Sequence, residues 1–124
     1  LLDRSLISEG CILNAKEIYH SVIGIRSRIG DGSIIKNCYI MGNDFYQSLD
    51  QMNTDIENNK ILVGIGENCF ISNAIVDKNC RIGNDVYING GKHLEDFSNE
   101  LYAIKDGIVV VKKGATLPDN YKIN

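Results

Sequence analysis

The chain has 124 residues, 44% apolar and 23% charged, with a net charge of −3, the composition of one ordinary soluble globular domain. The acidic balance supplies no basic stripe to neutralise a phosphate backbone, which argues against nucleic-acid binding. No apolar run approaches the ~20 residues that cross a bilayer and no signal-peptide pattern opens the chain, while a start at Leu1-Leu2-Asp3 without Met implies processing or excision from something longer.

From the N-terminus a large aliphatic residue returns at Ile7, Leu13, Ile18, Ile23, Ile29, Ile35 and Ile40, six residues apart with three shortenings to five. A helix returns its apolar face every three or four residues and an exposed strand every two. A fixed period of six is neither, and points to a repeat architecture. The fifth residue of each six-residue unit is small, as at Cys11, Ser27 and Ser33, and Gly24 and Gly30 directly follow their anchors.

Residues 43–62, polar and glycine-free, break the period and read as a long loop or short helical excursion from one corner. A second block restores the period at Ile65, Ile71, Val76, Ile82 and Ile88, again with small fifth residues at Cys69, Cys80 and Val86. Residues 92–103 place Leu94, Phe97 and Leu101 at helical spacing with acids toward the start, which predicts a short helix laid on the stack. A third block, Val111, Leu117 and Ile123, closes the chain.

The reading is all-β: a left-handed parallel β-helix of hexapeptide repeats over residues 1–124, one domain with one long loop insertion and a short helix. Three units close a triangular coil of about eighteen residues, and stability comes from coil-on-coil stacking. Gly30, Gly32, Gly66, Asn68, Gly83 and Asn84 suit turns with positive φ. An ordinary sandwich of short strands is the alternative. Left-handed crossovers break the usual rule for parallel strands, so the handedness rests on the hexad pattern.

Residue chemistry is sparse. The four cysteines lack C-x-x-C spacing and read as small core residues of a reducing compartment, with no metal or redox site. Two histidines, His20 and His93, cannot give the three zinc ligands of a carbonic anhydrase within one chain. His20 is the one general-base candidate for an acyltransferase, although "YHSVIG" offers it no acidic partner. No nucleophile elbow, phosphate cradle or metal-ligand cluster occurs. Basic residues gather at Lys92, Lys105, Lys112 and Lys113, with Arg26 and Arg28 earlier. In "IKDGIVVV" the apolar flanks of Lys105 would hold its ammonium partly desolvated and aimed at an anion, against the alternative of a solvated edge lysine.

Three strings, "HSVIGIRSRIGDGSIIKNCYIMGND", "GIGENCFISNAIVDKNCRIGNDVYI" and "YAIKDGIVVVKKGATLP", resemble in order and interruption the C-terminal domain of glucose-1-phosphate adenylyltransferase (ADP-glucose pyrophosphorylase). The resemblance covers nearly the whole chain and is weakest over residues 43–62 and 89–101. It implies a full enzyme that makes ADP-glucose and pyrophosphate from ATP and glucose 1-phosphate with Mg²⁺, for glycogen or starch. Catalysis would belong to an N-terminal domain, so no catalytic, metal or cofactor residue is expected here. The β-helix domain would pack on that domain, help build a homo- or heterotetramer, and shape sites for small anions such as sugar phosphates, phosphoglycerate, phosphate, AMP or ADP. By the same resemblance Lys105 in "IKDG" matches an effector-binding lysine. Lys92 lies near a second one, displaced by about one position among Gly90 and Gly91. Arg26 matches the arginine of a G-x-R-S stretch and reads as structural or interfacial. The compartment would be cytoplasm in a bacterium or plastid in a plant or alga. A stand-alone acyltransferase and a ligand-free structural subunit remain the other readings.

Overall fold

The structure is a computed structural model that describes residues 1–124. Its elements are short strands laid in circuits. The first circuit holds β1 (Leu2–Asp3), β2 (Leu6–Ile7) and β3 (Ile12–Leu13), and the second β4 (Glu17–Tyr19), β5 (Val22–Ile23) and β6 (Arg28–Ile29). Then come β7 (Ile34–Ile40), the helix α1 (Leu49–Glu57) and β8 (Gly64–Ile65), followed by β9 (Phe70–Val76) and β10 (Arg81–Ile82). The last part holds β11 (Tyr87–Asn89), β12 (Phe97–Ser98), β13 (Tyr102–Lys105), β14 (Ile108–Val111), β15 (Thr116–Leu117) and β16 (Lys122–Ile123).

Pairing runs between circuits, parallel throughout except where β13 pairs antiparallel with β12 and β14. The registers place the aliphatic anchors in three columns. One runs through Leu2, Ile18, Ile35, Ile71, Ile88 and Ile123. A second runs through Ile7, Ile23, Ile40, Val76 and Val111. The third runs through Leu13, Ile29, Ile65, Ile82 and Leu117. Their middle members are fully buried and make one core cluster. A ladder of backbone bonds running from circuit to circuit and an inward-facing ladder of aliphatics are thus built together, each circuit completing its neighbour.

Most of the shortened five-residue steps share a place. Leu13 to Ile18 is shortened at another corner, whereas Ile18 to Ile23, Ile35 to Ile40 and Ile71 to Val76 cross the same one, where His20, Asn37 and Asn73 sit with φ of 49°, 52° and 54°. One left-handed residue turns the chain there without a separate loop, so β7 and β9 each run along two sides. Asparagine tolerates that conformation through its short polar side chain. Further left-handed residues mark the other corners: Gly32, Asn68, Asp85 and Asn120 at one, Gly10, Arg26, Asn79 and Gly114 at the other. Gly30, Gly66 and Gly83, expected at positive φ, are not left-handed, and neither is Asn84. Those glycines are small because the next circuit's backbone lies against them: a Cβ on Gly30 would sit 2.6 Å from the Gly66 carbonyl carbon.

Serine and cysteine at the corners bond across circuits. Ser33 Oγ donates to Gly66 O at 2.8 Å and accepts the Cys69 N–H at 2.9 Å. Cys69 Sγ in turn donates to Gly83 O at 3.1 Å, and Cys80 Sγ to Lys112 O at 3.2 Å.

The helix falls elsewhere than expected. Residues 92–103 contain no helix; β12 and β13 lie there instead, and the only helix is α1, inside the polar 43–62 segment. A capping box explains its start: Ser48 Oγ accepts the Gln51 N–H while Gln51 Oε1 accepts the Ser48 N–H. No helix is long and apolar enough to cross a membrane.

Candidate functional site

Two lysines, Lys105 and Lys92, are the sequence's candidates for meeting an anion, and the hairpin of β13 and β14 carries the first. Ile108, Val109, Val110 and Val111 are β-branched and favour a pleated strand. The two residues between the strands, Asp106 and Gly107, have φ of 51° and 81°. Both positive values define the type I′ turn that a two-residue Asp-Gly loop adopts, and its twist matches that of the flanking strands. Lys105 pairs with Ile108 at the last rung before this turn. Phe97 and Tyr102 support the hairpin with rings 5.5 Å apart, and Tyr102 meets Tyr121 edge-on at 6.3 Å. On the β14 side, Val109–Val111 pair with Ala74–Val76 of β9, which fastens the hairpin to the stack.

The structure brings the second lysine to the same place. The Gly91 N–H donates to Gly107 O at 2.8 Å. A Cβ on Gly107 would lie 2.6 Å from Gly91 O and 3.1 Å from the Lys92 nitrogen. Thus the backbone at Lys92 abuts the turn that follows Lys105, although thirteen residues separate them in sequence.

A third member was invisible to sequence reading. Asp96 accepts the Asp106 N–H through Oδ1 at 3.0 Å and the Lys105 ammonium through Oδ2 at 3.2 Å. The Asp106 N–H and the Lys105 ammonium together hold the Asp96 carboxyl below the usual carboxylate range. Only folding the hairpin sets residue 96 against residues 105 and 106, and "LEDFS" carries no local signature of that contact. The Lys105 side chain is 76% exposed, so the expected desolvation by its apolar flanks is wrong. Those flanks alternate along the strand, with Ile104 inward and Lys105 outward.

Arg26 lies apart from this tip. Its Nη1 donates to Asn43 O at 3.1 Å, Asn43 Nδ2 returns a bond to Arg26 O at 2.8 Å, and its guanidinium carbon stands 5.8 Å from the Tyr46 ring centre. It ties the segment after β7 to the preceding circuit. Nearby, Arg81 performs a similar task for α1, bonding Asp55 at 2.7 Å and Ile61 O at 2.7 Å. His20 Nδ1 lies 2.7 Å from Asn37 Oδ1, in a groove lined also by Tyr39, Asn73, Ile75 and Ile108. No carboxylate lines that groove, so the imidazole has no acidic partner there.

The cysteines are all free. Burial pushes the Cys38 and Cys80 thiols up to about 11 and the Cys69 thiol upward as well. Thiolate is the nucleophile. At pH 8 an alkylating reagent will therefore modify Cys11, which is partly exposed, well before the other three. Peptide mass spectrometry with and without denaturant checks this. Equal native labelling of Cys11 and Cys80 would contradict it.

Compared with known families, residues 1–121 match the model described as the GLGC left-handed parallel beta-helix domain.

Proposed function

The chain belongs to the left-handed parallel β-helix domain family of glucose-1-phosphate adenylyltransferase, and from this premise we propose that it is the allosteric and oligomerisation domain of such an enzyme. In this reading the six-residue period is the family's hexapeptide repeat and residues 43–62 are an insertion between circuits. The full protein makes ADP-glucose and pyrophosphate from ATP and glucose 1-phosphate, with Mg²⁺ and catalytic groups supplied by an N-terminal domain. This domain contributes scaffold, subunit contacts and part of an anion site.

One observation supports that assignment most: the type I′ turn after Lys105 abuts the backbone at Lys92, so the hairpin tip brings the backbones of two lysines together. An ammonium bound to a phosphate oxygen makes a charge-assisted hydrogen bond, stronger than a neutral one. Lys105 is the principal contact and Lys92 the secondary one. Coupling to catalysis runs through the packing of this domain on the N-terminal domain, with anion binding favouring one of two global states.

The test is ADP-glucose synthesis by the full-length protein against phosphoglycerate, fructose bisphosphate and phosphate. Loss of a charge-assisted hydrogen bond is worth roughly 1.5–3 kcal/mol. Lys105→Ala should therefore raise the half-saturating effector concentration on the order of ten-fold or more. An unchanged response in that variant overturns the role of Lys105. A wild-type enzyme that ignores every anion leaves the domain as scaffold alone.

A further inference from the structure

The proposed anion site is already occupied by a side chain of the same molecule. Asp96 spans the tip: Oδ2 stands 3.2 Å from Lys105 Nζ, and Oδ1 accepts the Asp106 N–H at 3.0 Å. A carboxylate presents two oxygens to an ammonium much as a phosphate edge does, so both seek the same donor. From this geometry we propose that Asp96 is a built-in competitor, a tethered anion that an effector must displace from Lys105. The proposal rests on the reading of Lys105 as an anion-binding residue and adds a regulatory contact to it.

Three features make the contact suited to this work. First, it is weakly held: the side chains of Lys105 and Asp96 are 76% and 55% exposed, and exposed pairs are easily exchanged and screened by salt. Second, Asp96 keeps its place when Lys105 leaves, because the other oxygen stays anchored to the backbone N–H of Asp106, inside the turn. Displacement therefore requires only that the lysine swing, not that the hairpin unfold. Third, the tether is short. Residues 91–96 form one connection whose first residue is itself bonded to the turn through Gly107 O, so the carboxylate remains beside the ammonium as a high local concentration of competitor. Other charges near the tip, Lys92, Glu95 and Asp106, are not bonded to Lys105. Asp96 is the one carboxylate bonded to it.

Asp96→Asn separates the two bonds. The amide oxygen still accepts the Asp106 N–H, while the charge that competes for Lys105 is gone. In the full-length protein, titrated with phosphoglycerate and with inorganic phosphate by calorimetry, Asp96→Asn should bind these anions about two- to five-fold more tightly than wild type, the range an exposed ion pair allows. The half-saturating concentration in the activity assay should fall by the same factor. Asp96→Ala removes the anchor too and controls for turn geometry. If tightening appears in both variants, charge competition is the cause. If Asp96→Asn binds no more tightly than wild type while Lys105→Ala has lost binding, the competitor idea fails and the site stands. If Lys105→Ala binds as wild type does, the site reading itself has failed, and the competitor with it.

Discussion

Replacing Ile71 with alanine lowers the unfolding free energy of the domain by about 2–5 kcal/mol, the range for removing a buried aliphatic side chain from a site that cannot close over the gap. Ile71 is fully buried, with Ile35 on one side of it in the column and Ile88 on the other. The circuit's radius is fixed by ladder bonds on both faces, among them Ile34 N–H to Cys69 O at 2.8 Å and Phe70 N–H to Val86 O at 2.9 Å. Backbone held in that way cannot move inward to refill the space, so the cavity persists. Stacked folds also lose two interfaces at once when a middle member fails, because each circuit is stabilised by both neighbours. Ile7, only partly buried in the first circuit, has one neighbour, and Ile7→Ala should cost clearly less. Urea unfolding followed by circular dichroism measures both, with a lower midpoint at unchanged slope as the sign of a stability effect. Equal losses at positions 7 and 71 would show that the columns do not act as stacked neighbours.

A single methyl group at Gly66 should be as damaging as that deletion, by the opposite route. An added Cβ there would lie 2.4 Å from Gly83 O and 2.7 Å from Gly83 C. These are backbone atoms of the next circuit, and Gly83 is held by its own bond to Leu117 O at 2.9 Å. Overpacking typically costs 1–3 kcal/mol when side chains can give way. Here the obstacle is main chain, so Gly66→Ala should lose about 3 kcal/mol or more. Gly114 provides the contrast. It has φ of 71° and nothing within 4 Å of an added Cβ, so Gly114→Ala costs only the left-handed conformation, about 1 kcal/mol. A Gly66 variant as stable as the Gly114 variant would refute the close-approach explanation of the glycine column.

These two positions show how far the pattern in the chain carries. Ile71 was legible as an anchor because its spacing is fixed by the geometry of a circuit, and spacing is a property of sequence. Gly66 was legible as a special position for the wrong reason. Reading it as a turn glycine assumed that glycine means positive φ, whereas the need for it arises from a circuit seventeen residues later, at Gly83. The misplaced helix has a similar origin. Leu94, Phe97 and Leu101 do repeat at helical spacing, but the Asp106-Gly107 turn commits the following strands to antiparallel pairing, and β12 joins that ribbon. Local periodicity lost to hydrogen bonds made further along the chain. The helix that does form, α1, rests on a capping box at Ser48 and Gln51 and on Asp55, which Arg81 fastens to the stack.

By itself the sequence determined the six-residue period, the aliphatic columns, the buried character of Cys38, Cys69 and Cys80, the family, and the candidacy of Lys105 and Lys92. The period, the columns and the buried cysteines follow from residue type and spacing, which survive any arrangement in space. The family and the two lysines follow from the resemblance of three strings of the chain to that family. Tertiary structure alone decided which corner takes most of the five-residue steps, that Gly66 is small to admit a neighbouring backbone, and that Lys92 meets the turn after Lys105. It also decided that Asp96 answers the Lys105 charge. Each of these depends on how distant segments come into register, and that is set by the whole ladder of backbone bonds between circuits.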